Sequence, residues 1–154
     1  MKDRIKAIAR CELFKTLPPE GIEMVAARCV EVTAQAGEPL IVEGKPAAGV
    51  FVIVEGKVDY IKMVDAKSGL VVCRWAEGDV VGLDRMFEEE PYFVSAVATT
   101  PGRYLRLAAG DFRAICDAEP QYEHRIFTQA LIIQSSRLRQ ITACLKQFLS
   151  KIIK

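Results

Sequence analysis

The fold class is indicated by the stretch Val50-Phe51-Val52-Ile53-Val54-Glu55-Gly56-Lys57-Val58. Its pattern predicts an apolar strand, a glycine turn and the start of a second strand. Similar short runs, rich in valine and isoleucine and separated by glycine, follow one another from Val30 onward. The candidate strands are residues 33–35, 39–42, 50–54, 57–64, 70–75, 80–81, 94–98 and 104–107. Short strands at this spacing predict a mainly β fold, an eight-stranded double-sheet β-roll of the jelly-roll kind, rather than alternating α/β units.

Two short helices are predicted before the strands. Ile5, Ile8 and Ala9 lie at helical spacing, and Pro18-Pro19-Glu20 is typical of the start of a second helix. We expect a single domain over residues 1–154. Its parts would be N-terminal helices in 1–31, the roll in 32–109, and a hinge helix and a dimerisation helix in 110–154.

A long helix is predicted at the C-terminal end of the chain. Asp111 is expected to cap a helix running to about Ala118, and Pro120 to begin the longer one. This longer helix carries a seam of residues spaced alternately four and three apart, with one polar exception: Phe127, Leu131, Gln134, Leu138, Ile141, Leu145, Phe148 and Ile152. A seam of this length needs a partner surface, so we expect a parallel two-helix homodimer. The alternative is an amphipathic helix folded back on its own domain.

Composition disfavours several classes of function. With 21 Lys and Arg against 20 Asp and Glu, the net charge of +1 gives no basic surface for nucleic acid or for an acidic membrane. No run approaches the ~20 apolar residues that a membrane span needs, and five scattered cysteines are expected to be reduced thiols in a cytoplasmic protein. His124 is the only histidine, so we expect no metal site, no catalytic triad and no enzyme activity. Haem and iron–sulfur clusters are disfavoured because the cysteines are not grouped.

Residues 77–97 are the candidate ligand-binding stretch. Glu77-Gly78-Asp79 is a turn signal, residues 83–90 can form one or two helical turns ended by Pro91, and an apolar strand follows. Such a turn points backbone N–H groups into one concavity, which suits an anion. Within it, Glu88-Glu89-Glu90 is interpreted as a solvated acidic turn rather than as paired catalytic carboxylates, and Arg85 as a surface partner for Glu88 or Glu89.

The ordered pattern of glycines resembles the cyclic-nucleotide-binding domain. The matching segments are Leu13-Phe14-Lys15-Thr16-Leu17, Ala36-Gly37-Glu38, Val42-Glu43-Gly44-Lys45-Pro46-Ala47, Val50 to Val58 and Glu77-Gly78-Asp79. This domain occurs in catabolite-activator-type and fumarate-nitrate-type regulators, in cyclic-nucleotide-dependent kinases and in gated channels. The resemblance implies an eight-stranded roll with helices on either side. The activator-type regulators carry a helix-turn-helix domain after the long helix; because the sequence stops at Lys154, we expect a stand-alone sensor domain that does not bind nucleic acid directly.

The phosphate cassette of the family departs from its pattern here at two positions. In cyclic-nucleotide-binding members, a Glu after the cassette glycine engages the ribose 2′-hydroxyl, and an Arg pairs with the cyclic phosphate. Here Gly82 is present, but Leu83 stands in place of the Glu, and Tyr92 or Phe93 in place of the Arg. Losing both contacts would cost roughly 3–6 kcal/mol, or about two to four decades in affinity, so tight binding of cyclic AMP or cyclic GMP in the usual manner is not expected.

Three functions stay open from the sequence. The first is a non-catalytic sensor of a small, largely apolar effector, with signalling through residues 110–120 to the long helix and to a protein partner. Its pocket would be lined by Val81, Gly82, Leu83, Asp84, Arg85, Tyr92, Phe93, Val94 and Ser95, with Ser136 and Arg137 from the long helix. The Tyr92 hydroxyl, Ser95 and the cassette N–H groups would be its polar groups. The alternatives are a collapsed cassette filled by its own side chains and, for Ser136 and Arg137, the polar face of a coiled coil, which is the favoured interpretation of these two residues. The second function is a genuine cyclic-nucleotide receptor in which Asp84 reaches the ribose and Arg85 the phosphate. The third is a ligand-free dimerisation scaffold.

Overall fold

The computed structural model describes residues 1–86 and 90–153. Two helices open the chain, α1 (Lys2–Arg10) and α2 (Pro19–Arg28). The strands are β1 (Val30–Ala34), β2 (Pro39–Ile41), β3 (Val50–Glu55), β4 (Val58–Met63), β5 (Gly69–Trp75), β6 (Val80–Val81), β7 (Ser95–Ala98) and β8 (Gly102–Leu107). A short 3₁₀ turn, Leu83–Arg85, follows β6, and the chain ends with α3 (Ala109–Ala118) and α4 (Pro120–Ile152).

The strands form two four-stranded antiparallel sheets. The order in the first sheet is β1-β8-β3-β6 and in the second β2-β7-β4-β5. One apolar core takes side chains from both sheets, among them Phe51 and Ile53 of β3, Tyr60 of β4 and Trp75 of β5. The predicted mainly β fold, with eight strands in two sheets flanked by helices, is confirmed.

A second core lies between the first sheet and the helices. Val50 and Val52 of β3 pack there with residues of every helix, including Ile8, Val25 and Ile126. Since the alternate residues Phe51 and Ile53 face the inter-sheet core, β3 is buried on both faces. This double burial explains why the strand reads as a continuous apolar run rather than as an alternating pattern.

Two of the predicted helix starts are confirmed and a third is wrong. Pro19 and Pro120 lie in the first turn of α2 and α4, where the missing N–H has no cost. The cap predicted at Asp111 is not formed, because α3 begins earlier, with Ala108 at its N-cap position. Asp111 instead lies in the first turn, where its negative charge is favourable beside the positive end of the helix dipole. Residues 87–89 of the helical piece predicted for 83–90 lie outside the described residues.

Helix α4 leaves the body of the protein halfway along its length. Its buried side chains are Tyr122, Ile126, Gln129, Ala130 and Arg137. Residues 138–153 are all exposed, and they carry the apolar residues of the second half of the predicted seam. Despite its length, α4 is too polar to span a membrane, and no other helix in the described ranges could span one.

The cysteines are free thiols in the described structure. Cys11, Cys29 and Cys116 are buried, Cys73 is partly buried, and Cys144 is exposed. Burial raises the pKa of the Cys11 and Cys29 thiols to about 12 and that of Cys116 to about 11. A thiol with so high a pKa is a poor nucleophile, so these three residues act as packing groups.

Gly49 lies at a close approach between two backbone segments and provides a test of the fold. Its φ is +113°, and a Cβ there would collide with the backbone of Leu107 and Ala108. Gly37 also has a positive φ, +88°, but no atom lies within 4 Å of its Cβ position. We predict that Gly37→Ala lowers the free energy of unfolding by about 1–2 kcal/mol, the cost of the left-handed backbone, and that Gly49→Ala lowers it by clearly more. Urea denaturation of both variants measures this, and equal losses would contradict the packing described for Gly49.

Candidate functional site

A cavity of about 380 Å³ lies between the second sheet and α4. Strands β4 and β5 contribute Tyr60, Lys62, Val72, Cys73 and Trp75 to its wall. The segment between β6 and β7 contributes Asp84, Phe93 and Val94, and α4 contributes Gln134, Arg137 and Ile141. The volume lies near the lower end of the range for small-molecule sites, and a mostly apolar lining with a few polar groups is typical of them.

A β-bulge shapes one wall of this cavity. Tyr60 pairs with Cys73 and the next residue, Ile61, pairs with Val71, so Val72 is the extra residue in β5. In a regular strand, neighbouring side chains point to opposite faces of the sheet. The bulge allows the consecutive residues Val72 and Cys73 both to line the cavity.

Leu83 and Tyr92, two residues of the predicted ligand-binding stretch, are packed into the cores, whereas Phe93, the other residue considered for the arginine position, is exposed and lines the cavity. Leu83 is 1% exposed and lies in the core beside the helices, and Tyr92 is 5% exposed and lies between the sheets, where Val81 is also buried. The Tyr92 hydroxyl accepts a hydrogen bond from Ala48 N (2.8 Å) and donates one to Gly49 O (2.9 Å). The structure therefore places both side chains away from the cavity, and the hydroxyl binds the protein's own backbone.

The backbone of Gly82 lies close to that of Gly49, and its N–H has a partner inside the protein. Its φ of +83° is left-handed, and a Cβ would lie 2.9 Å from Gly49 O. The Gly82 N–H donates to the Tyr60 hydroxyl at 2.9 Å, in a buried position. Burial raises the pKa of Tyr60 to about 12, so this hydroxyl stays protonated. The turn was expected to offer its backbone N–H groups to an anion. The N–H of Gly82 is instead bound to the side chain of Tyr60.

Lys62 and Ser95 belong to a network around Glu43 at the edge of the cavity. Ser95 Oγ accepts from Glu43 N (2.9 Å), while the Glu43 carboxylate accepts from Lys62 Nζ and from Met63 N (3.0 Å). The hydrogen bond from Lys62 lowers the pKa of Glu43. Lys62 also donates to Phe93 O (2.9 Å), and its Nζ lies 4.2 Å from the centre of the Phe93 ring. The charge of Lys62 is therefore compensated within the protein.

Of Asp84 and Arg85, the two residues proposed to rescue nucleotide binding, only one faces the cavity. Asp84 lines the cavity, but Arg85 is not among the lining residues. Arg85 Nε lies 3.6 Å from Asp84 Oδ2. The contacts predicted between Arg85 and Glu88 or Glu89 lie outside the described residues.

Arg137 is the buried charged residue of the cavity wall. It is 9% exposed, its guanidinium carbon lies 4.2 Å from the centre of the Trp75 ring, and its Nη2 donates to Val80 O. No carboxylate within the described ranges forms an ion pair with it. Burial raises the pKa of both Tyr60 and Cys73, and the charge of Arg137 opposes that rise in each case. The positive charge of Arg137 therefore acts electrostatically on two side chains of the cavity wall, Tyr60 and Cys73.

Ser136 does not line this cavity but a second one. This second cavity, of about 240 Å³, also contains Glu12 and Asp79. Arg137 and Trp75 line both cavities and lie between them.

The predicted helix seam divides into three environments. Phe127 packs edge to face on Phe112 of α3, with ring centres 6.5 Å apart. Gln134 and Ile141 line the cavity. The remaining seam residues, Leu131, Leu138, Leu145, Phe148 and Ile152, are exposed on this chain.

The residues that the sequence analysis missed are those of β4 and β5. Tyr60, Lys62, Val72, Cys73 and Trp75 lie outside the predicted stretch 77–97, and the pairing of β4 with β5 places them together in the cavity wall. The one available signal was Trp75, the single tryptophan, which ends a predicted strand two residues before Glu77. Within the described residues, no group of three or more His, Cys, Asp or Glu side chains could hold a metal ion.

The two-sheet roll with flanking helices and a turn segment facing the last helix matches a known family. The family model described as "Cyclic nucleotide-binding domain" matches residues 31–119. The chain belongs to the cyclic nucleotide-binding domain family. The resemblance inferred from the glycine pattern is confirmed, and the fold supports a regulatory or sensor role. Comparison with curated protein sequences gives no significant match.

Solved structures share the fold over most of the chain. A cyclic nucleotide-binding domain from Methylobacillus flagellatus is 19% identical with a TM-score of 0.81, over 97% of this chain and 83% of that one. The catabolite activator protein of Thermus thermophilus is 20% identical with a TM-score of 0.74, over 89% and 62%. The regulatory domain of Toxoplasma gondii PKA, crystallised with cAMP, is 21% identical with a TM-score of 0.69, over 78% and 46%. At these identities the similarity establishes a common fold.

The hydrogen bond between Tyr60 and Gly82 can be tested with a matched pair of tyrosines. Tyr60→Phe leaves a buried N–H without an acceptor, so we predict a loss of about 1–3 kcal/mol in the free energy of unfolding. The Tyr104 hydroxyl is also buried and has no hydrogen-bond partner in the described part of the chain, so Tyr104→Phe should be neutral or stabilising. Chemical denaturation of both variants measures the difference, and a greater loss in Tyr104→Phe would refute this assignment.

Proposed function

We propose that this domain is a non-catalytic sensor that binds a small effector other than a cyclic nucleotide and signals through α4. The observation that carries the proposal is the apolar cavity between the second sheet and α4, which lies beside the cassette segment and includes its residues Asp84, Phe93 and Val94. A small, mostly apolar ligand suits such a lining.

The cassette itself argues against a cyclic nucleotide as that effector. The two positions that engage ribose and phosphate in nucleotide-binding members are Leu83 and either Tyr92 or Phe93 here, and none of these side chains can form an ion pair with a phosphate. Leu83 and Tyr92 are also core residues. The N–H of Gly82 already binds Tyr60. Rescue by Asp84 and Arg85 has little support, because Arg85 does not line the cavity.

A conformational change caused by ligand binding would be transmitted through the middle of α4. Gln134, Arg137 and Ile141 line the cavity, and Arg137 is the last residue of the helix that is buried. A ligand that changes the position of these residues would shift the exposed second half of α4, which is a two-state element of the kind that ligands can bias.

The exposed half of α4 is proposed to be a dimerisation surface. Leu138, Leu145, Phe148 and Ile152 are exposed at the spacing of a heptad seam. Gln134 and Ile141 belong both to that seam and to the cavity wall. Ligand binding and helix pairing would therefore be linked, and the receiving partner is a second copy of this chain or another protein that presents a similar helix.

A thermal-shift screen against metabolites and nucleotides tests the sensor proposal. We expect at least one apolar or aromatic compound to raise Tm, because a ligand at about 100 times its Kd stabilises the folded state by ~2.7 kcal/mol. Cyclic AMP and cyclic GMP at the same concentration should leave Tm unchanged. Cys73→Trp fills the cavity and should abolish the shift, whereas Val71→Trp, at an exposed position of the same strand that does not line the cavity, should retain it. A screen with no stabilising compound, or micromolar binding of cyclic AMP, would defeat the proposal.

Analytical sedimentation at micromolar concentration tests the dimer. Leu145→Gln removes an exposed seam residue and should shift the protein toward monomer, because it places a polar group in the paired helix core. Lys146→Gln, at the next position and outside the seam, should leave the dimer intact. A wild-type protein that sediments as a monomer would show that the seam does not pair.

A further inference from the structure

We infer that the effector is a small aromatic or otherwise apolar monocarboxylate, and that the Arg137 guanidinium binds its carboxylate. This inference rests on the proposed function, since it names the ligand class of the same cavity. It identifies Arg137 of α4, instead of the cassette, as the residue that selects the ligand by charge.

The first argument is the uncompensated charge of Arg137. Charged side chains that are almost fully buried are normally paired, because removing an ion from water without a partner costs several kcal/mol. Arg137 is 9% exposed, yet its one hydrogen bond in the described structure is to the carbonyl of Val80. The guanidinium has further N–H donors in its plane. An anionic ligand in the cavity would supply the missing counter-charge.

The second argument is that the other charged residues of the cavity wall have partners of opposite sign. Lys62 is bound by Glu43 and by the carbonyl of Phe93. Asp84 lies beside Arg85. Arg137 is therefore the lining residue, among those described, whose charge is available to a ligand.

The third argument concerns shape. Trp75 covers one face of the guanidinium, which leaves its N–H edge for a planar, bidentate partner such as a carboxylate. Tyr60, Val72, Phe93 and Ile141 supply the remaining aromatic and aliphatic surface. Together these groups suit a compact ligand with an apolar body and a single carboxylate at one end.

The fluorescence of Trp75 tests the inference directly, because it is the only tryptophan and lies in the cavity wall against Arg137. The probes are phenylacetate and phenylacetamide, which have nearly the same shape and differ in charge. We expect phenylacetate to bind the wild-type protein roughly tenfold to hundredfold more tightly than phenylacetamide, as charge-assisted hydrogen bonds predict.

Two substitutions at position 137 and one control separate the role of the charge from that of packing. Arg137→Met should bring the two probes to equal affinity, and Arg137→Lys should retain part of the preference, because it keeps the charge but loses the planar fork. Arg139→Met, at an exposed position on the same helix, should behave as wild type. Should Arg137→Met fail to fold, the two probes on wild type and on Arg137→Lys decide the matter.

Three results would overturn the inference: equal binding of both probes to wild type, an undiminished preference in Arg137→Met, or no response of Trp75 to either probe. Binding of the amide without a preference for the carboxylate would remove the anion site and leave the sensor intact. The thermal-shift screen, which includes uncharged compounds and the Cys73→Trp variant, decides separately whether the cavity binds any effector.

Discussion

Arg137 contacts Trp75 and the carbonyl of Val80, and these contacts connect α4 to both sheets. Arg137 reaches from α4 across the face of Trp75 at the end of β5 and donates to Val80 O in β6. It is the last buried residue of the helix, and its side chain lies between two cavities. The position of α4, the shape of the ligand cavity and the strand that leads into the cassette therefore depend on the same side chain.

The polar groups of Gly82 and Tyr92, in the predicted ligand-binding stretch, form hydrogen bonds inside the protein. Gly82 retains a left-handed φ and a close approach to Gly49, but its N–H binds the Tyr60 hydroxyl. Tyr92 holds the backbone of residues 48–49, and Leu83 fills the core beside the helices. These groups are thus part of the packed scaffold, and Arg137, on the other side of the cavity, pairs with no carboxylate of the described residues.

The sequence predicted the fold well because its signals are local. Apolar runs separated by glycines and prolines at helix starts are properties of neighbouring residues, and the structure confirms both. Gly44 and Gly56, which separate these runs, have positive φ values. The residues of the cavity wall could not be predicted from such local signals. Val72 and Cys73 reach it through a bulge that depends on pairing with β4, and the hydroxyl of Tyr92 finds its partners in a loop 44 residues away in the chain. Arg137 could be named from its position on the long helix, but that no carboxylate of the described residues pairs with it depends on the whole fold.

The central claim is that occupancy of the cavity is transmitted to the exposed half of α4. Hydrogen–deuterium exchange of the full chain, with and without a compound shown to stabilise it, measures this most directly. The account predicts that the backbone amides of residues 138–153 change their exchange rate when the cavity is filled, although, of these residues, only Ile141 lines it. Unchanged exchange throughout α4, with the compound bound and protection seen in β4 and β5, would contradict the account.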